Sequence, residues 1–294
     1  MTTESLTLSV STRTSMWWRR PAFARAGMAV VWIVCLLVAT AGVMHSLSTH
    51  VLGLDSHAYW LSGHLRHLYG AAPGRDNAYL YSPAFATIVW PLTRLPVLVF
   101  ESLWVIIEGF AFAWLLAPLG WRRGFPLFAV CCIEAIEGDI YGLMGVAAVL
   151  GIRYGATWAF LLLTKITPGL GLVWFAVRRE WRSLAWAVGA TIAIAALSFL
   201  LTPGLWVDWV RFLLNNRGGG SLLFPLRFAI ALGLTAFAAK TGRPWLLAPA
   251  MMLAMPRAGN LPTYTMLAAI PRLRQYGARA LPSATCPETG GNYR

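Results

Sequence analysis

The sequence predicts an all-α integral membrane protein, a polytopic helical bundle, from its composition and its long apolar runs. Of its 294 residues, 58% are hydrophobic and 12% are charged, and an average soluble domain has about twice that charged fraction. A protein folded in water needs a polar surface, which this composition cannot supply around one core. The apolar runs indicate about eight to ten membrane segments, several of them short enough to be broken or re-entrant.

The charge distribution and the cysteines exclude several classes of protein. The formal net charge is +13, but the basic residues are dispersed between apolar runs, so the expected partners are membrane lipids and not nucleic acid. The four cysteines lack the spacing of a zinc site or of a disulfide framework, and no metal or other cofactor is predicted. The sequence also lacks the phosphate-binding loop of nucleotide-driven motors and the paired histidines of zinc proteases.

The first element is a spanning helix that follows a basic tail. Residues 1–25 are polar and include four arginines, which favours a cytoplasmic N-terminal tail. The apolar run from Ala26 to about Leu47 is longer than the apolar region of a signal peptide, so it is predicted to be a retained anchor. Basic clusters at 178–182, 240–243 and 272–279 are predicted to be cytoplasmic as well. Residues 26–271 then form a single multi-span domain, and 272–294 a cytoplasmic tail.

The next segment is the longest polar interruption in the body of the chain, an outer loop over residues 48–82. Asp55 lies in it, close to the membrane boundary, where a carboxylate could take the proton of a bound hydroxyl. The alternative interpretation is that Asp55 caps a short helix. His64, Arg66 and His67 could contact phosphate or hydroxyl groups, or could be solvated loop residues. A short interfacial helix is predicted from Leu61 to Tyr69.

Three interruptions of the apolar runs, at 138–139, 167–168 and 259–260, predict broken helices. Irregular backbone at membrane depth is tolerated where protein or water satisfies it, so the breaks are candidate walls of a site, or kinks packed against neighbouring helices. Lys165 lies inside an apolar run, which makes a functional role the default hypothesis. It could contact a phosphate, pair with Glu134, Glu137 or Asp139, or extend to the surface. Asp139 could be that partner, a second carboxylate or a metal contact.

Two stretches carry a resemblance to a known family. Residues 79–92 read YLYSPAFATIVWPL and residues 161–182 read LLLTKITPGLGLVWFAVRREWR. The first is similar to the Tyr-x-Tyr-Pro-Pro-Leu-x-Ala stretch, followed by Pro-Leu, of glycosyltransferase family 87. The second resembles that family's Lys-x-x-Pro helix, which ends in an Arg-rich Trp-Arg turn. The chain departs from the pattern at Ser82, where Pro is usual, and at Gly138-Asp139, near an expected Gly-Gln pair. It is also shorter than typical members.

The resemblance implies a GT-C fold and the transfer of a sugar, most often mannose, from a polyprenyl-phosphate donor. The acceptor would be a lipid-linked molecule or a glycan at the outer face of a cell membrane. Asp55 matches the loop aspartate that is thought to be the family's general base. Two other functions stay open: a transporter or flippase of a lipid-linked sugar, and a shortened, non-catalytic family member.

The remaining site predictions concern the two substrates. Cationic side chains are predicted to hold the donor phosphate: Lys165, Arg66 and Arg257. Polar and aromatic side chains are predicted to contact substrate: His57, His64, Tyr81, Asp139, Arg211, Asn260 and Tyr264. Arg211 lies in an outer loop, Gly204 to Ser221, that contains three consecutive glycines. That loop could be a lid over the acceptor or an ordinary solvated connection.

Overall fold

The computed structural model describes residues 21–49, 53–75, 77–216, 222–256 and 261–280. This part of the chain contains helices and no strand, which confirms the all-α prediction. The α-helices are α1 (Pro21–Ser48), α2 (Leu54–Leu61), α3 (Pro83–Val89), α4 (Val97–Leu116), α5 (Trp121–Glu137), α6 (Tyr141–Gly151), α7 (Trp158–Thr164), α8 (Gly171–Arg178), α9 (Trp181–Leu201), α10 (Pro203–Asn215), α11 (Phe224–Thr241), α12 (Leu247–Leu253), α13 (Leu261–Tyr264) and α14 (Ile270–Ala280). Short 3-10 helices lie at Leu92–Arg94, Ala117–Leu119, Gly155–Thr157, Pro244–Leu246 and Thr265–Ala269.

Three of the described helices are long and apolar enough to cross a membrane: Arg25–Ser48, Val97–Leu119 and Trp181–Leu201. The helix predicted from Ala26 is therefore confirmed. Large apolar side chains on these helices, such as Leu98 and Leu200, point outward and are exposed, as expected for a surface that contacts lipid. The 11-residue helix α6 rises about 16 Å, roughly half of a hydrocarbon core of about 30 Å. The figure of eight to ten segments stays a prediction.

One end of the bundle contains the C-terminal ends of α1, α5 and α7 and the start of α6. Helices α1 and α5 run side by side in the same direction: Trp32 stacks on Phe125 at 5.6 Å between ring centroids, and Ser46 Oγ donates to Glu137 Oε1 at 2.6 Å. Helix α6 starts beside the end of α5. Helix α7 runs back beside α6 and ends at Thr164. The next residue, Lys165, contacts Asp139 at 2.8 Å. We call this region the Asp139 end.

The three basic clusters at 178–182, 240–243 and 272–279 lie together at the other end of the bundle. Arg178 Nη1 donates to the Ala239 carbonyl at 3.3 Å, and Arg274 lies 5.0 Å from the centroid of the Trp245 ring. Arg272 Nε donates to the Trp114 carbonyl at 2.8 Å, near the end of α4. Helix α4 begins at the Asp139 end, where Glu101 contacts α2. The clusters that were predicted to share one side of the membrane are thus close in space.

The predicted helix from Leu61 to Tyr69 is wrong. The helix of this loop, α2, lies earlier, and residues 62–69 form turns. Trp60 Nε1 donates to the Leu95 carbonyl at 2.9 Å, and Gly63 packs so closely on Thr93 that a side chain there would collide with it. These contacts tie the end of α2 to the segment before α4. Tertiary packing therefore decides the helix position against the weak local pattern.

Candidate functional site

The break between α5 and α6 places Asp139 at the end of the bundle. Helix α5 ends at Gly138, which has a φ of 87°, a backbone conformation that favours glycine. The side chain of Asp139 then accepts a hydrogen bond from the Ile140 amide at 2.7 Å. Asp139 is 8% exposed. The sequence prediction of a broken helix at 138–139 is confirmed, and the break turns a carboxylate inward.

Lys165 forms an ion pair with Asp139. Its Nζ donates to Asp139 Oδ1 at 2.8 Å and to Oδ2 at 3.1 Å, and it lies 4.0 Å from the centroid of the Tyr141 ring. Of the three interpretations that the sequence allows for Lys165, pairing with a carboxylate is therefore present in the structure. The Lys165 side chain as a whole is 19% exposed.

Two buried tyrosines connect this ion pair to the outer loop. Tyr81 Oη donates to Asp139 Oδ1 at 3.3 Å, and Tyr59 Oη donates to Tyr81 Oη at 2.8 Å. Tyr59 belongs to α2, and its ring packs against Phe85 and Trp104. The predicted substrate residue Tyr81 thus lies at the site, while Tyr59, which the sequence analysis did not select, orients it.

Helix α2 holds Asp55 against the break. The Gly53 amide donates to the Ile136 carbonyl at 2.9 Å, and Ser56 packs on Gly138. The N-cap residue is Gly53 and no side-chain capping bond is present, so the interpretation of Asp55 as the cap is wrong. Asp55 lies in the first turn, where a negative charge is favoured. Burial, with the charge of Asp139 as the next cause, raises the pKa of Asp55 to about 7 although Lys165 opposes this shift.

Asp55, Tyr59, Tyr81, Asp139 and Lys165 form one cluster, and further acidic side chains surround it. Glu108, buried in the middle of α4, accepts hydrogen bonds from the Gly142 and Leu143 amides at 2.8 and 3.3 Å and so caps α6. The sequence analysis missed Glu108, although a glutamate inside an apolar run was the available signal. Glu134 is 2% exposed, and its carboxyl oxygens have no hydrogen-bond partner in the described part of the chain. Within those same residues, no group of three or more possible ligands is placed to hold a metal ion.

The other predicted site residues are dispersed. His57 Nδ1 contacts Glu101 Oε1 at 2.9 Å, and His64 stacks on Trp60 at 4.0 Å. Arg66 is exposed, and Arg211 contacts Asp208 at 3.7 Å on α10. Tyr264 lines a separate apolar cavity with Leu119 and Leu127. Arg257 and Asn260 lie outside the described residues.

Two cavities lie near the cluster, and none of its five residues is among their lining residues. An apolar groove of about 380 Å³ opens between α3, α6, α7 and α9, and it reaches Leu163 and Thr164, directly before Lys165. A polar cavity of about 460 Å³ lies between the turns at 67–72 and α10. The lining of the groove is apolar, as a lipid chain would require, and the polar cavity lies against the outer loop.

The backbone at Gly138 provides a test of this architecture. Gly138→Ala is expected to lower the melting temperature and the activity, because the new methyl group would lie 2.6 Å from the Ser56 amide nitrogen at a positive φ. The left-handed conformation alone costs an L-residue about 1–2 kcal/mol. Gly189→Ala in α9 is the matched control, since a methyl group there meets nothing within 4 Å. Equal melting temperatures for the two variants would contradict the packing of α2 on the break.

Comparison with known protein families gives a match. The model of glycosyltransferase family 87 matches residues 79–285, which is more than half of the chain. No curated protein and no solved structure matches. The matched range includes Tyr81, Asp139 and Lys165, whereas Asp55 precedes it and joins these residues through the packing of α2.

Proposed function

The chain belongs to glycosyltransferase family 87, and from this premise we propose that it transfers mannose from a polyprenyl-phosphate donor to a lipid-linked or glycan acceptor. The observation that carries the proposal is the cluster at the Asp139 end. It combines Asp55, a carboxylate whose pKa is raised, with the ammonium group of Lys165, which lies 2.8 Å from Asp139. Glycosyl transfer from a phosphate needs these two functions, a base for the acceptor and a cation for the leaving group.

In the proposed mechanism, Asp55 accepts the proton of the acceptor hydroxyl. The hydroxyl oxygen forms a bond to the anomeric carbon, and the bond between that carbon and the phosphate oxygen breaks. The electron pair leaves with the polyprenyl phosphate, whose negative charge Lys165 stabilises. A single displacement of this kind inverts the anomeric carbon and requires one base. Phosphate is a good leaving group, so no strong general acid is needed.

The apolar groove supports a lipid-linked donor. Its lining is formed by aliphatic and aromatic side chains, among them Phe85, Leu150 and Ile194. The groove reaches Thr164, the residue directly before Lys165 in the chain, and the proposal places the phosphate of a donor held there near Lys165. Ile88, a lining residue of α3, is 54% exposed, so the groove opens at the surface of the bundle, and this opening is the proposed entry path of the donor from the bilayer.

We further propose that the Asp139 end faces the extracytoplasmic side and that both termini are cytoplasmic. The grouping of the three basic clusters at the other end of the bundle supports this orientation, because basic residues are retained on the cytoplasmic side. Cysteine substitution of Ser62 and of Ser183, in a background without the native cysteines, tests it. A membrane-impermeant thiol reagent applied to intact cells should label position 62 and not position 183.

The direct test of the function is an assay with purified protein in liposomes. Radiolabelled polyprenyl-phosphate-mannose and a lipid acceptor extract are supplied, and both the product and the distribution of the donor across the bilayer are measured. Formation of a mannosylated product supports the proposal. Movement of the donor without product would identify a flippase, and neither result would identify a non-catalytic member, so each of these two outcomes rejects it.

The raised pKa of Asp55 predicts the pH dependence of transfer. Only the deprotonated carboxylate can accept the acceptor proton, so kcat/KM should rise with pH and level off above about 7. In Asp139→Asn a negative neighbour is removed while Lys165 keeps its charge, so the pKa of Asp55 should fall and the ascending limb should move to lower pH. If the ascending limb of kcat/KM lies at the same pH in Asp139→Asn and in the unmodified protein, the coupling between Asp55 and Asp139 is contradicted.

A further inference from the structure

The polar cavity beside α10 is a second feature that the mechanism above does not use. It has a volume of about 460 Å³, within the range of about 300–1,000 Å³ that is usual for small-molecule sites. Its walls are the turns at 67–72 and one face of α10. The side chains with polar groups in its lining are His67, Tyr69, Asp208, Arg211, Asn215 and Asn216.

Tyr69 connects this cavity to the candidate catalytic cluster. Its hydroxyl donates to the Tyr81 carbonyl at 2.9 Å, and its ring lies 5.7 Å from that of Phe212, a buried residue of α10 in the same lining. The side chain of Tyr81 in turn donates to Asp139. The cavity is therefore linked to the cluster through two hydrogen-bonded tyrosines, Tyr69 and Tyr81.

The chemistry of the lining favours an uncharged, hydroxyl-rich ligand. Arg211 and Asp208 lie 3.7 Å apart, so their charges largely compensate each other. The amides of Asn215 and Asn216 can each both donate and accept hydrogen bonds, as sugar hydroxyls do. Asn216 is held in place by a hydrogen bond from its Nδ2 to the Phe212 carbonyl at 2.8 Å. A site for a phosphate or another anion would instead show an excess of cationic groups.

We propose that this cavity binds the sugar chain of the acceptor, as a neutral oligosaccharide subsite beside the reacting centre. The assignment to the acceptor rests on the proposed function. Tyr69 provides aromatic surface for the apolar face of a sugar ring. The amides of Asn215 and Asn216 bind the hydroxyl groups, and Tyr69 connects the cavity to Tyr81. The cavity thus selects an acceptor that already carries a glycan.

The test is direct binding of linear mannotetraose to the full-length protein in nanodiscs, measured by saturation-transfer NMR. Tetragalacturonate is the charged comparator. Arg211→Ala combined with Asn215→Ala should weaken mannotetraose binding at least about tenfold, the equivalent of about 1.4 kcal/mol. Both side chains are exposed on α10, so the variant should fold. Arg75→Ala, a change of an exposed arginine outside the cavity lining, is the matched control and should bind as the unmodified protein does.

The outcomes separate this proposal from the proposed function. Binding that is lost in the α10 variant and kept in Arg75→Ala supports the cavity, even if the liposome assay gives no mannosyl transfer. Lack of binding to the unmodified protein, equal loss in both variants, or tighter binding of tetragalacturonate overturns it. If transfer occurs, the α10 variant should raise the KM for the acceptor at least about tenfold and leave the KM for the donor unchanged. An unchanged acceptor KM in that variant also overturns it.

Discussion

Asp55→Asn is expected to abolish sugar transfer while leaving the protein folded. The amide cannot accept the acceptor proton, and loss of a positioned base typically costs about 10²–10⁴-fold in rate. The Asp55 side chain lies in the first turn of α2, and no side-chain capping hydrogen bond is present there. Asp55→Asn therefore removes no capping hydrogen bond from α2. The measurement is kcat with saturating donor and acceptor in the liposome assay.

Thermal unfolding of the same variant provides a second readout. The pKa of Asp55 is raised to about 7 in the folded protein from an ordinary value of 3.8, so the folded state binds this proton more tightly than the unfolded state. The free energy of unfolding therefore falls as pH rises from about 4 to about 7. Above that range Asp55→Asn should melt at the same temperature as the unmodified protein or higher.

Glu101→Gln is the matched control for Asp55→Asn. Glu101 is also a carboxylate at the Asp139 end and contacts α2 through His57, but it does not belong to the cluster. Its substitution should leave kcat within a few-fold of the original value. Retained turnover in Asp55→Asn, or an equal loss in Glu101→Gln, would reject the role of Asp55 as the base.

Lys165→Met is expected to lower kcat/KM by about 10²–10³-fold, as does removal of a group that stabilises developing negative charge in other enzymes. It should also destabilise the protein, because the carboxylate of Asp139 then stays buried without its cation. Removing one partner of a buried pair costs about 3–5 kcal/mol. The melting temperature and the transfer rate should therefore fall together.

The double variant Asp139→Asn with Lys165→Met separates these two effects. Removing both charges eliminates the unpaired carboxylate, so the melting temperature should recover. The transfer rate should not recover, since the phosphate still lacks its cation. Lys240→Met, at the basic end of the bundle, should change neither quantity. If the double variant regained activity together with stability, Lys165 would have a structural role alone.

The sequence predicts those residues of the site that interrupt its apolar runs. Asp55 and Lys165 stand out because each is a charge at or inside an apolar region, and Gly138 marks the break before Asp139. The choice among Glu134, Glu137 and Asp139 as the partner of Lys165 stays open in the sequence, because all three lie within six positions. The left-handed conformation of Gly138 decides it, since it turns Asp139 toward α7.

Other features depend on contacts between distant segments and could not be predicted in this way. Tyr59 acquires its role by meeting Tyr81, which is 22 positions away in the chain. Tyr264 follows the interruption of the apolar run at 259–260 in the sequence, yet it lines a different cavity, together with Leu119 and Leu127. In each case the residue type is compatible with several places in a helical bundle, and packing selects one of them.

The ion pair between Lys165 and Asp139 has a consequence for the order of events in each catalytic cycle. If the donor is a lipid phosphate, as proposed, the ammonium group that it meets is already paired with Asp139, and the phosphate has to compete with that carboxylate. Inorganic anions, which lack a lipid chain as anchor, would compete less well. After the sugar has left, Asp139 would pair with the lysine again and favour release of the lipid phosphate. An internal competitor of this kind limits product inhibition.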